Sequence, residues 1–97
     1  MKIKEADQWT VIYPDMIPLQ LPVTVQKLSR TEFIFSFPFG QKGVDVAINR
    51  KSLKGSYIIK DQGLTNSITF TVQNKGKELL GKPQGFHGPM IWTFTKD

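Results

Sequence analysis

The chain contains no cysteine. Disulfide frameworks, thiolate metal sites and a cysteine nucleophile are thereby excluded, and the redox compartment stays open because a thiol-free chain suits either environment. Histidine occurs once, as His87, so a zinc site would need about three further ligands drawn from scattered carboxylates. No metal and no cofactor are expected. Helical periodicity is also missing: no window carries apolar residues at three- and four-residue spacing without an interrupting proline, glycine or β-branched run. Nothing approaches the roughly 20 consecutive apolar residues of a membrane-spanning helix. The opening segment Met1 to Gln8 mixes charges and lacks the apolar stretch of about 7–15 residues found in a secretory signal. A soluble, cytoplasmic protein is the expectation, with a mature secreted chain carrying an added Met as the alternative.

What is present is alternation. Val44, Val46 and Ile48 fall on one side of an extended segment and Asp45, Ala47 and Asn49 on the other, the period of a strand with one buried face. Ile68, Phe70 and Val72 alternate in the same way with Thr69, Thr71 and Gln73. Thr31 to Phe39 sets Phe33, Phe35, Phe37 and Phe39 on one face, and Pro38, lacking an N–H, belongs near an edge or strand end. Met90, Trp92 and Phe94 mark a last strand, while Trp9 to Tyr13, Val23 to Leu28, Ser56 to Lys60 and Lys77 to Leu80 are weaker candidates.

Turn signals separate these runs. Phe39-Gly40-Gln41-Lys42-Gly43, Asp61-Gln62-Gly63 and Asn74-Lys75-Gly76-Lys77 read as hairpins whose Gly or Asn residues accept positive φ. The three-proline stretch Tyr13 to Pro22 and the Gly/Pro-rich stretch Gly81 to Pro89 read as irregular connections. With 97 residues, 39% of them hydrophobic, the chain suits one all-β domain spanning 1–97. The predicted architecture is a small antiparallel meander barrel of about seven to eight short strands, with a β-sandwich as the alternative. The barrel is preferred because closure removes exposed strand edges. Leu53 to Gly81, with Gly55-Ser56-Tyr57, the Asp61-Gln62-Gly63 turn and the Gly76 hairpin, resembles hairpins of lipocalin-type barrels, but no residue role is carried over from that likeness.

Catalytic signals are scarce. The eight carboxylates stand singly in predicted turns, ends and outward positions, without the pairing that acid–base chemistry requires. No nucleophile–base motif occurs, and the glycines of Gly81 to Gly85 precede no helix that could receive a phosphate. Enzyme status is left open, leaning against catalysis. His87, in Gly85-Phe86-His87-Gly88-Pro89, is a polar group on a loop that could titrate near neutral pH.

Binding is the more natural reading. The inward aromatic residues Phe35, Phe37, Tyr57, Trp92 and Phe94 are candidates to line a lumen holding a small apolar molecule, although the same residues would serve a filled core. A protein-interaction or assembly role through a strand edge or Met16, Ile17, Leu19 and Leu21 is a second candidate. The third follows from the formal charge of +5: a cluster of Lys42, Arg50, Lys51, Lys54 and Lys60 could meet nucleic acid or another acidic polymer. Oligomeric state, ligand identity and strand order are not written in the sequence.

Overall fold

The computed structural model describes residues 2–14, 17, 19–39, 41–60, 63, 65–84 and 90–97. They form eight antiparallel strands in simple meander order: β1 (Trp9–Tyr13), β2 (Leu19–Lys27), β3 (Glu32–Phe39), β4 (Lys42–Asn49), β5 (Lys54–Ile59), β6 (Thr65–Gln73), β7 (Glu78–Pro83) and β8 (Trp92–Lys96). Val11 of β1 pairs with Phe94 of β8, so the sheet closes into a barrel. Closure settles the choice between barrel and sandwich in favour of the barrel. Among the described residues no helix is long and apolar enough to cross a membrane.

The interior follows directly from the alternation. Phe33, Phe35 and Phe37 pair with Ile48, Val46 and Val44, which in turn pair with Gly55, Tyr57 and Ile59. Each position therefore meets an inward neighbour on both sides. Trp9, Val11, Tyr13, Val25, Ile68, Phe70, Leu79, Trp92 and Phe94 are buried with them, each large apolar side chain contributing about 1.5–3 kcal/mol when withdrawn from water. Ile3 joins them from the segment before β1, a residue the charge-rich opening had masked; it packs into the core at 6% exposure.

Two glycines make the packing possible at points where the sequence shows only a break in pattern. Gly81 faces inward between Phe70 and Trp92, and a Cβ there would press on Ile68, Phe70 and Phe94 at 3.1–3.4 Å. The stretch predicted to be irregular from Gly81 onward therefore begins instead as the end of β7. At Gly55 a Cβ would overlap the Ala47 carbonyl oxygen, so the β4 and β5 backbones approach too closely for any side chain.

The second predicted irregular stretch also yields to pairing. β2 begins at Leu19 and keeps Pro22 in register opposite Thr10. On its other side, the β2–β3 ladder runs only from Thr24↔Ser36 to Lys27↔Phe33. Continuing that register would set Pro22 against Pro38, two residues with no N–H to donate. The two strands part there, each held only by its outer neighbour.

The meander gathers its turns at two ends. The β2–β3, β4–β5 and β6–β7 turns share one end with the segment before β1 and the exit from β8; the other four connections frame the opposite end, called the mouth below. The turns at the first end are tight. Asn49 Oδ1 accepts the N–H groups of Lys51 (2.9 Å) and Ser52 (3.1 Å), and Leu53 takes a positive φ of 57°. Asn74, Lys75 and Gly76 turn with φ of 54°, 55° and 85°, so Lys75 joins the two residue types expected to adopt this conformation.

Candidate functional site

The five aromatic residues expected to line a lumen do converge. Phe35 meets Phe94 at 5.5 Å between ring centroids, Phe37 meets Trp92 at 5.7 Å and Phe94 at 6.0 Å, and Tyr57 meets Trp92 at 5.0 Å. All four contacts are edge-on, an arrangement favoured by ring quadrupoles. Phe35, Trp92 and Phe94 have 0% exposure, so none touches a space that a water molecule could enter. Trp9, 5.2 Å from Phe35, extends the stack toward the first end. The rings fill the central barrel with one another.

Open volume lies one layer out, at the mouth. A groove of about 570 Å³ is lined by Tyr13, Pro14, Leu19, Leu21, Phe39, Gln41, Lys42 and Met90. It sits where β2 and β3 part: Leu19 and Leu21 come from the β2 side and Phe39 from the β3 side. The Tyr13 and Phe39 rings pack at 4.8 Å, and Tyr13 also reaches Trp92 at 6.0 Å, so the filled core forms the base of this region. Leu19 is 44% exposed. On the outer wall of the same parting, Ser36 Oγ donates to Asp45 Oδ1 at 2.7 Å, and Lys60 Nζ lies 3.7 Å from that oxygen.

Burial disfavours the Tyr57 phenolate and raises the group above its ordinary value of 10.0. Its hydroxyl donates to the Gln84 carbonyl oxygen at 2.5 Å, which satisfies the polar tip and fastens β5 to the chain leaving β7. Trp9 Nε1 is buried without a hydrogen-bond partner among the described residues. His87 lies outside the described residues, as do Met16 and the Asp61-Gln62 part of a predicted turn. Among the described residues no three His, Asp or Glu side chains assemble as a metal site would require.

The basic set proposed from sequence does not assemble in one place. Arg50, Lys51 and Lys54 flank the β4–β5 turn, whereas Lys42 opens β4 and Lys60 follows β5 at the mouth. An eight-residue strand at about 3.3 Å per residue separates the two groups. Arg50 instead joins Lys2, Lys4, Lys27 and Arg30 around a cleft of about 280 Å³ whose floor includes Ile3 and Phe33. Four of those five cations escaped the sequence reading because they belong to two segments distant from Arg50. Searches of known protein families, curated proteins and solved structures each found nothing that matches this chain.

Proposed function

We propose that this β-barrel is a non-catalytic binding module that takes an apolar or amphipathic small molecule in the groove where β2 and β3 part. The observation that carries the reading is the position of the groove. Its volume of about 570 Å³ is twice that of the cleft of about 280 Å³ around Arg50, and it lies where the β2–β3 ladder is missing beyond Thr24 and Ser36. Tyr13, Leu19, Leu21, Phe39 and Met90 give it an apolar wall, with Gln41 and Lys42 at its edge. Small-molecule sites have this composition: mostly apolar lining with few polar groups to set orientation. The five packed aromatics support the groove from below and hold Tyr13 in place through Trp92.

A neutral solvatochromic dye such as Nile red tests the proposal without interference from the basic cleft. Saturable binding with an emission shift to the blue is expected, and a long-chain fatty acid should displace the dye. Leu19→Glu, which alters an exposed side chain, should weaken binding at least about tenfold, equivalent to about 1.4 kcal/mol. Absence of saturable binding, or indifference to Leu19→Glu, would refute the groove as the site.

A further inference from the structure

We infer that the end opposite the mouth carries a second site, selective for a compact polyphosphate group. Lys2, Lys4, Lys27, Arg30 and Arg50 converge on a single depression, and among the described residues no carboxylate lines it. The cations are positioned by structure. Ile3 is buried at the floor, so Lys2 and Lys4 leave the chain on either side of an anchored residue. The Lys4 N–H donates to Asp7 Oδ2 at 3.1 Å, and the Asp7 N–H returns to the Lys4 carbonyl at 3.1 Å, fixing that segment further.

The two arginines are tied together across separate turns. The Arg50 N–H donates to the Thr31 carbonyl at 2.8 Å, and Arg50 Nε donates to the Arg30 carbonyl at 2.6 Å. Ser29 Oγ shapes the same turn by accepting the N–H groups of Thr31 and Glu32 at 3.3 and 3.1 Å. The Arg50 side chain is therefore held against the Arg30 backbone before any ligand arrives, which lowers the ordering cost of binding.

The chemistry of the ligand follows from the arrangement. Five like charges around one hollow raise the local potential, and a multiply charged anion relieves their mutual repulsion. Guanidinium forks match the oxygen geometry of phosphate, while lysines act as point charges around it. A single carboxylate would neutralise only a fraction of the cluster. Single-stranded nucleic acid is disfavoured because its binders offer exposed rings for base stacking. Here the large hydrophobics exposed among the described residues are Ile17, Leu19, Leu28 and Ile91, none of them aromatic, and Phe33 lies beneath the cations at 1% exposure.

Titration of the full chain with inorganic tripolyphosphate, followed by calorimetry and amide chemical shifts, tests the site. Saturable binding is expected, with shifts centred on Lys4, Lys27, Arg30 and Arg50. Lys27→Gln combined with Arg30→Gln keeps the backbone carbonyl that Arg50 uses and should weaken binding at least about tenfold. Lys42→Gln combined with Lys60→Gln removes equal charge at the mouth and should change it less than about twofold. Vesicles containing phosphatidylinositol bisphosphate identify the source: preference for the vesicle assigns the polyphosphate to a lipid headgroup, preference for the free anion to a soluble ligand, and either supports the site. Equal weakening by the two double variants, tighter binding of oligothymidine of matched charge, or no saturable binding would overturn it.

Discussion

The two ends of this barrel solve the problem of finishing a closed sheet in opposite ways. At the basic end, short turns are locked by side-chain and backbone hydrogen bonds, and Ile3 is drawn into the core as a stopper. At the mouth, β2 and β3 separate, Leu19 stands half in water, and apolar side chains line a groove in place of filling it. Charge follows the same division: Lys2, Lys4, Lys27, Arg30 and Arg50 gather around the closed end, while the open groove has Lys42 at its edge. Stability and binding are thus distributed unevenly along one axis. A tightly finished end tolerates little change, whereas an unfinished end can exchange side-chain contacts for contacts with a ligand.

Four substitutions test this contrast. The largest effect is expected at Gly55, which pairs with Ile48 toward the basic end. Gly55→Ala forces β4 and β5 apart and should cost about 3 kcal/mol or more, at the upper edge of ordinary overpacking because the obstacle is backbone and cannot rotate away. Urea denaturation measures the loss; a variant within about 0.5 kcal/mol of the parent would show that the strands do not approach as closely as described.

A matched pair comes next. Ile3→Ala at the closed end should destabilise by about 2 kcal/mol, the low part of the range for truncating a buried isoleucine. Leu19→Ala at the mouth should remain within about 0.5 kcal/mol. Equal losses in thermal melts would abolish the distinction between the ends.

An effect between those of Ile3→Ala and Leu19→Ala at neutral pH belongs to Tyr57→Phe, which removes the bond to the Gln84 carbonyl and should cost about 1 kcal/mol. Its sharper signature is alkaline. Burial raises the Tyr57 pKa in the folded state, so the folded chain retains that proton after the unfolded chain has begun to lose it. The resulting stabilisation is complete below the unfolded value near 10 and disappears as pH climbs from there through the raised folded value. The gap between parent and variant stabilities should therefore narrow above about pH 10; parallel curves across that window would remove the burial argument.

Most of the strand map could be read from the chain because a half-buried strand writes its geometry as period two. Val44 to Asn49 and Ile68 to Gln73 are plain examples, and the antiparallel barrel follows from their number and turns. β2 was legible only from Val23 onward, since three prolines in the preceding stretch resemble a coil until a partner strand supplies register for Leu19 to Pro22. Gly81 was obscure for a related reason: a glycine carries no mark of whether it bends the chain or makes room for Ile68, Phe70 and Phe94. The aromatic face identified Phe35, Phe37, Tyr57, Trp92 and Phe94 as neighbours, but alternation reports which way a side chain points and is silent on whether space remains beside it. Proximity along the chain grouped Lys42 and Lys60 with Arg50, although a strand lies between them. The cations that do surround Arg50 meet through turn placement, a property of topology that local composition does not encode.

The facing prolines give the seam between β2 and β3 a permanent character. A gap lined by ordinary residues could zip shut when empty and reopen under strain, but Pro22 and Pro38 leave no donors with which to complete the ladder between them. Amide exchange at the N–H groups that face this seam should accordingly be slow in the paired stretch up to Thr24 and Ser36 and fast beyond it, whereas those bonded to β1 and β4 stay slow. The barrel keeps a slot cut partway down its wall, open by covalent structure and independent of whatever occupies it.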